Sequence, residues 1–152
     1  MMEVGDMAPD FELPADNGDM VRLADLRGTR VILYFYPKDD TSGCTKQACG
    51  FRDAMPAIRE RDAVLLGISP DPVRSHEKFR DKYELNFPLL ADEDHSVALA
   101  YGAWGKKKLY GREYEGILRS TFVIDADGRV EKVFRRVRPA ESAAQVLAEL
   151  GA

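Results

Sequence analysis

Six consecutive apolar residues, Val31-Ile-Leu-Tyr-Phe-Tyr36, lie early in this 152-residue chain. A strand with one wet face alternates apolar and polar residues. A strand that is apolar throughout must be covered on both faces. The run is too short for a helix, so it predicts a central strand between two layers of structure. Val64-Leu-Leu-Gly-Ile68 makes the same demand. The segment between the two runs has helical spacing, with Cys44, Cys49, Phe51, Met55 and Ile58 along it, and Thr41 or Ser42 placed to cap its start. Pro56 is expected to kink or divide that helix.

The rest of the chain extends this β-α-β core. Phe11-Glu-Leu13 and Met20-Val-Arg22 flank an Asn17-Gly18 turn and read as a hairpin. Pro72 to Tyr83 reads as an amphipathic helix, with Val73, His76, Phe79, Arg80 and Tyr83 at helical spacing. Phe87–Ala91 is a short strand that Pro88 pushes towards a sheet edge. Ser96–Tyr101 reads as a short helix. Gly102–Gly116, polar and rich in Gly and Lys, reads as a long functional or mobile loop. Thr121–Asp125 and Arg129–Phe134 form a second hairpin around Asp127-Gly128, and Ala140–Leu150 is a closing helix. Strands alternating with helices imply an α/β fold, a sheet covered by helices on both faces. One domain spanning 1–152 is expected at this length.

Composition excludes several roles. Net charge is -4 with both signs interspersed, which argues against general nucleic-acid binding. The longest apolar runs hold about six residues, against the ~20 that span a membrane. The first ten residues have neither a basic start nor an apolar stretch, so no secretory signal is read and a cytoplasmic location is expected. In a reducing compartment, a close cysteine pair is more often catalytic or metal-binding than structural.

The chain has two cysteines, Cys44 and Cys49. Cys44 falls in the first helical turn, where free N–H groups and the positive end of the helix dipole favour a thiolate, the nucleophilic form. Gly43 permits close backbone approach. Thr41 stands where its hydroxyl could face the thiol, and Pro37, ending the strand, could wall one side. Arg119, just before the Thr121 strand, is the best placed cation. On an ideal helix, Cα atoms five residues apart are separated by roughly 8–9 Å, and a disulfide needs less than about 7 Å. Bonding of Cys44 to Cys49 therefore requires the first turns to unwind. A zinc site would need two further ligands, and the only histidines, His76 and His95, lie far along the chain. No zinc site is expected. His76 reads as a helix-face residue, Lys106-Lys-Lys108 as solvated, and Trp104, Tyr110 and Tyr114 as packing residues.

Pro37-x-x-x-Thr41-x-x-Cys44 resembles the active-site signature of the peroxiredoxins. Cys49-Gly-Phe-Arg-Asp53, Gly67-Ile-Ser-Pro-Asp71, Phe87–Asp94, Tyr101-Gly-Ala-Trp-Gly105 and Gly116–Gly128 resemble the PrxQ (bacterioferritin comigratory protein) subfamily, in order along nearly the whole chain. The resemblance implies a thioredoxin-like fold with a central mixed sheet and an N-terminal hairpin extension. It implies reduction of hydrogen peroxide and organic hydroperoxides, without cofactor, with thioredoxin or a similar dithiol as reductant, by a monomer or weak dimer. Cys44 then resembles the peroxidatic cysteine and Cys49 the resolving one. Thr41 and Arg119 resemble the residues that polarise the peroxide, and Pro37 the shield. Ser42 stands where many members have Pro, and Gln47 where many have Glu. A thioredoxin-like disulfide reductase and a redox-sensing binding module are the rival functions. The Cys-x4-Cys spacing argues against the reductase, whose usual motif is Cys-x-x-Cys.

Overall fold

The computed structural model describes residues 2–151. The early apolar run forms β3 (Arg30–Phe35), the middle strand of a five-stranded mixed sheet of order β5-β4-β3-β8-β9. Parallel to β3 runs β4 (Ala63–Ser69), followed at the edge by β5 (Leu89–Ala91). On the other side, β8 (Ser120–Ile124) and β9 (Val130–Arg135) continue antiparallel.

The side chains of β3 alternate between two cores. Val31, Leu33 and Phe35 enter the layer built by β1 (Glu12–Pro14), β2 (Met20–Arg22), the 3-10 turn at Leu23–Leu26 and α3 (Ser96–Ala100). Ile32, Tyr34 and Tyr36 enter the layer built by α1 (Ser42–Glu60), α2 (Val73–Tyr83) and α4 (Ser142–Leu150). All six are at most 2% exposed, as a strand covered on both faces requires. The fold is the expected α/β sandwich.

Pro56 does not divide α1, which runs unbroken from Ser42 to Glu60. Proline lacks the N–H that would bond the Arg52 carbonyl four residues back. That carbonyl accepts from Asn86 Nδ2 instead, at 3.2 Å, so the missing helix bond is replaced from outside. Gly102–Gly116 is not a loop. It forms the hairpin of β6 (Trp104–Leu109) and β7 (Arg112–Ile117), with Lys106 opposite Glu115 and Lys108 opposite Glu113. The two turn residues, Tyr110 and Gly111, both have positive φ (52° and 77°), as a type I′ turn requires. Trp104 packs, stacking on His95 with ring centroids 3.9 Å apart. Tyr110 and Tyr114 do not pack inside: they are 95% and 44% exposed.

Candidate active site

The chain leaves β3 at its C-terminal end, crosses the loop 37–41 and enters α1. Cys44 therefore lies in the first turn of a 19-residue helix beside the sheet's C-terminal edge, where α/β sheets place their reactive groups. Its side chain is 1% exposed and unbonded to any other cysteine. Cys49, also free and half-buried, sits five residues further along the same unbroken helix.

The link between β7 and β8 delivers Arg119. Because Phe35 pairs with Ser120, residue 119 lies beside the end of β3. Arg119 Nη2 donates to Cys44 Sγ at 3.1 Å, and Nη1 donates to Gln47 Oε1 at 2.5 Å. Gln47, fully buried, donates in turn from Nε2 to Ser142 Oγ at 3.1 Å. A Cβ at position 43 would touch Pro139 Cγ at 3.4 Å and Arg119 Nη2 at 3.5 Å, ordinary contact distances, so the guanidinium lies directly against the helix start.

Thr41 is the N-cap residue by backbone geometry, but its side chain makes no cap bond. The hydroxyl donates backwards to the Lys38 carbonyl at 2.9 Å. The Thr41 carbonyl accepts from Thr45 N–H at 2.8 Å, the first bond of the helix. The loop is thus closed on itself directly before the cysteine. Pro37 is half-buried at the end of β3.

The sequence reading missed several neighbours. Lys107, expected to be solvated, is half-buried and donates to the Ile117 carbonyl at 2.8 Å. Burial and then the nearby Arg119 guanidinium hold its ammonium below the ordinary lysine range, partly offset by the Cys44 sulfur. The site thus gathers a second cation from β6. Tyr34, beneath α1, has a buried hydroxyl with no hydrogen-bond partner. Burial, then the charges of Cys44 and Asp39, push that phenol well above its usual range, so it stays neutral. Gln47 and Ser142, 95 residues apart, carry no local signal of their contact. His76 lies on the buried face of α2, fully buried, with both ring nitrogens bonded. Among the described residues, no group of three or more His, Cys, Asp or Glu side chains is arranged to hold a metal ion, and no helix is long and apolar enough to cross a membrane.

A buried thiol held by an arginine at a helix start is arranged for nucleophilic attack by sulfur. Comparison with known proteins agrees. Residues 4–133 match the AhpC/TSA family. The chain is 48% identical over 149 residues to peroxiredoxin Bcp of Bacillus subtilis, covering 98% of this chain and 95% of that one. It is 49% identical over 133 residues to peroxiredoxin Bcp of Escherichia coli, covering 88% and 85%. Among solved structures, peroxiredoxin Q of Xanthomonas campestris superposes with a TM-score of 0.90 at 35% identity, covering 99% of this chain and 95% of that one. BcpB of Mycobacterium tuberculosis does so with 0.87 at 40% identity, covering 99% and 97%. The thioredoxin-like fold, the thiol site and these likenesses together place the chain in the AhpC/TSA family, as a thiol peroxidase of the peroxiredoxin Bcp/PrxQ group.

Proposed function

We propose that Cys44 is the peroxidatic cysteine and Cys49 the resolving one, in a cycle that reduces hydrogen peroxide and organic hydroperoxides. The observation that carries this reading is the 3.1 Å contact from Arg119 to the Cys44 sulfur at the start of α1. A guanidinium and a helix N-terminus both favour the thiolate. They also lie where negative charge gathers on the peroxide oxygens during attack.

The cycle balances as follows. The Cys44 thiolate attacks the terminal oxygen of ROOH. An S–O bond forms, the O–O bond breaks, and RO⁻ leaves to take a proton from water. Arg119 steadies the departing charge, while Thr41 orients the hydroperoxide and Pro37 restricts water. Cys44 is now a sulfenic acid. The first turns of α1 unwind, the Cys49 sulfur attacks Cys44, the S–O bond breaks, and water leaves carrying the Cys49 proton. Thioredoxin or a similar dithiol returns two electrons and restores both thiols. The related protein of Xanthomonas campestris has been studied for alkyl peroxide reduction, which supports organic hydroperoxides as substrates here.

Mass measurement of the reduced protein before and after one equivalent of hydrogen peroxide tests the assignment. The expected product is an intramolecular disulfide, lighter by two hydrogens. Cys44→Ser should be inert, and Cys49→Ser should stop at a sulfenic acid on Cys44. Equal reactivity of Cys44 and an unstructured thiol overturns the reading.

A further inference from the structure

Asp39 lies in the middle of the loop between β3 and α1, two residues before Thr41. Its side chain is buried, and its bonds lead to separate elements. Tyr36 Oη, at the end of β3, donates to Oδ1 at 2.6 Å. From the first turn of α2, Ser75 Oγ donates to Oδ2 at 2.8 Å, and His76 Nδ1 lies 2.7 Å from the same oxygen. The Asp39 N–H donates to Asp71 Oδ2 at 2.7 Å, and Asp71 is held by Ser69 Oγ at 3.0 Å. His76 Nε2 donates to the Leu90 carbonyl of β5 at 2.9 Å. A carbonyl only accepts, so Nε2 carries the hydrogen of that contact.

The next residue, Asp40, is anchored at the far end of α2, by Lys82 Nζ at 2.7 Å and Tyr83 Oη at 2.8 Å. Beyond the cysteines, Arg52 Nη1 donates to the Tyr83 carbonyl at 2.7 Å. α2 therefore grips the chain on both sides of the segment that carries Cys44 and Cys49. Within that segment, among the described residues, the side-chain bonds leaving α1 are those of Cys44 and Gln47 to Arg119 and Ser142.

We propose that Asp39 and His76 are positioning residues, which hold the loop 37–41 fixed so that Pro37 and Thr41 stay in place while α1 opens only between Thr41 and Arg52. Neither residue touches the Cys44 sulfur. The inference rests on the reading of Cys44 as the attacking thiol. Two rates separate a positioning role from plain stability: attack of peroxide on Cys44, and closure of the disulfide from the sulfenic acid.

The test follows both rates in the full-length reduced protein by stopped-flow and acid-quenched mass measurement with hydrogen peroxide. Asp39→Ala should slow attack about tenfold or more, since small misplacements cost that much, and leave closure as fast or faster. Asp39→Asn refills these contacts, with Nδ2 donating to His76 Nδ1 and Oδ1 accepting from Tyr36, so it should restore attack to within about threefold. Tyr36→Phe keeps the ring and removes one bond to Asp39, and should slow attack about two- to fivefold. If Asp39→Ala does not fold, Tyr36→Phe and Asp39→Asn decide the question by the same two rates. Unchanged attack in Asp39→Ala or in Tyr36→Phe overturns the proposal. So does a parallel fall in both rates with loss of helical signal, which marks a merely structural network. Slow attack by the wild-type Cys44 overturns the underlying reading, whatever the variants do.

Discussion

One guanidinium ties Cys44 to Gln47: Arg119 reaches the sulfur at 3.1 Å and the amide oxygen at 2.5 Å. The two acceptors are three residues apart and share a helix face, so Arg119 is locked by one neighbour while it serves the other. Arg119→Met keeps the stem and removes the fork, and should slow peroxide attack on Cys44 about 10²-fold or more. Arg119→Lys keeps the charge but cannot hold both acceptors, and should still slow it about tenfold. Stopped-flow mixing with hydrogen peroxide measures both. A lysine variant at full rate would show that charge alone suffices.

Gly50 separates Cys49 from Phe51 inside α1. A methyl group there would meet only Ala143 Cβ, at an ordinary 3.9 Å. Gly50→Ala should therefore stabilise the helix by about 0.5–1 kcal/mol. If disulfide closure needs the helix open, the same change should slow closure about two- to fivefold and leave peroxide attack alone. A higher melting temperature with unchanged closure would separate resolution from unwinding.

Gly67 in β4 is fixed by the ring above it. An added Cβ would lie 2.9 Å from Tyr34 Cζ and 3.0 Å from Leu89 Cδ2. Tyr34 is itself wedged against Phe51 and Phe87, with centroids 4.7 and 6.0 Å away. Gly67→Ala should cost about 1–3 kcal/mol, the usual range for overpacking. Because the displaced ring supports α1, Cys44 reactivity should fall as well. Chemical denaturation and thiol titration read the two effects.

Acid stability should depend on Arg30 and Glu131, which join β3 to β9 by a bidentate ion pair that is only partly exposed. The hydrogen bond from Arg30 holds the Glu131 carboxyl below its ordinary range. A depressed folded-state pKa contributes stability above the unfolded value, near 4.3, and that contribution is lost as pH falls through the folded value. Glu131→Gln should therefore melt at lower temperature than wild type at pH 7, and the gap should close below about pH 4. Neighbouring Glu149, pushed up by burial and by Glu131, acts in the opposite sense and makes the net difference modest. A gap that does not narrow as pH falls below the unfolded value would refute the linkage.

What could be read from sequence was what local pattern encodes. Val31–Tyr36 announced a central strand because both faces of β3 are buried. The contact between Cys44 and Arg119 was legible because each sits next to a readable strand end. The β6–β7 hairpin was missed because, apart from Trp104 and Ile117 at its base, neither face is core. Its alternation is of Lys against Glu across strands, and its turn is Tyr-Gly, not Asn-Gly. Pro56 misled because the compensating donor, Asn86, lies 30 residues away. The Tyr36–Asp39–His76 cluster was invisible for a similar reason: Asp39 reads as an ordinary loop residue, and only the fold brings it against Tyr36 and His76.

Both cysteines ride on one intact helix, and this has an electrochemical consequence. On the proposed cycle, the disulfide exists only while part of α1 is open, so the helix's folding free energy adds to the driving force for reduction. For a two-electron couple, about 1 kcal/mol of helix stability raises the midpoint potential by about 20 mV. Substitutions in α1 that never touch sulfur, Gly50→Ala among them, should then make the oxidised protein a stronger acceptor of electrons from a dithiol. The helix would set the voltage at which the enzyme is recycled.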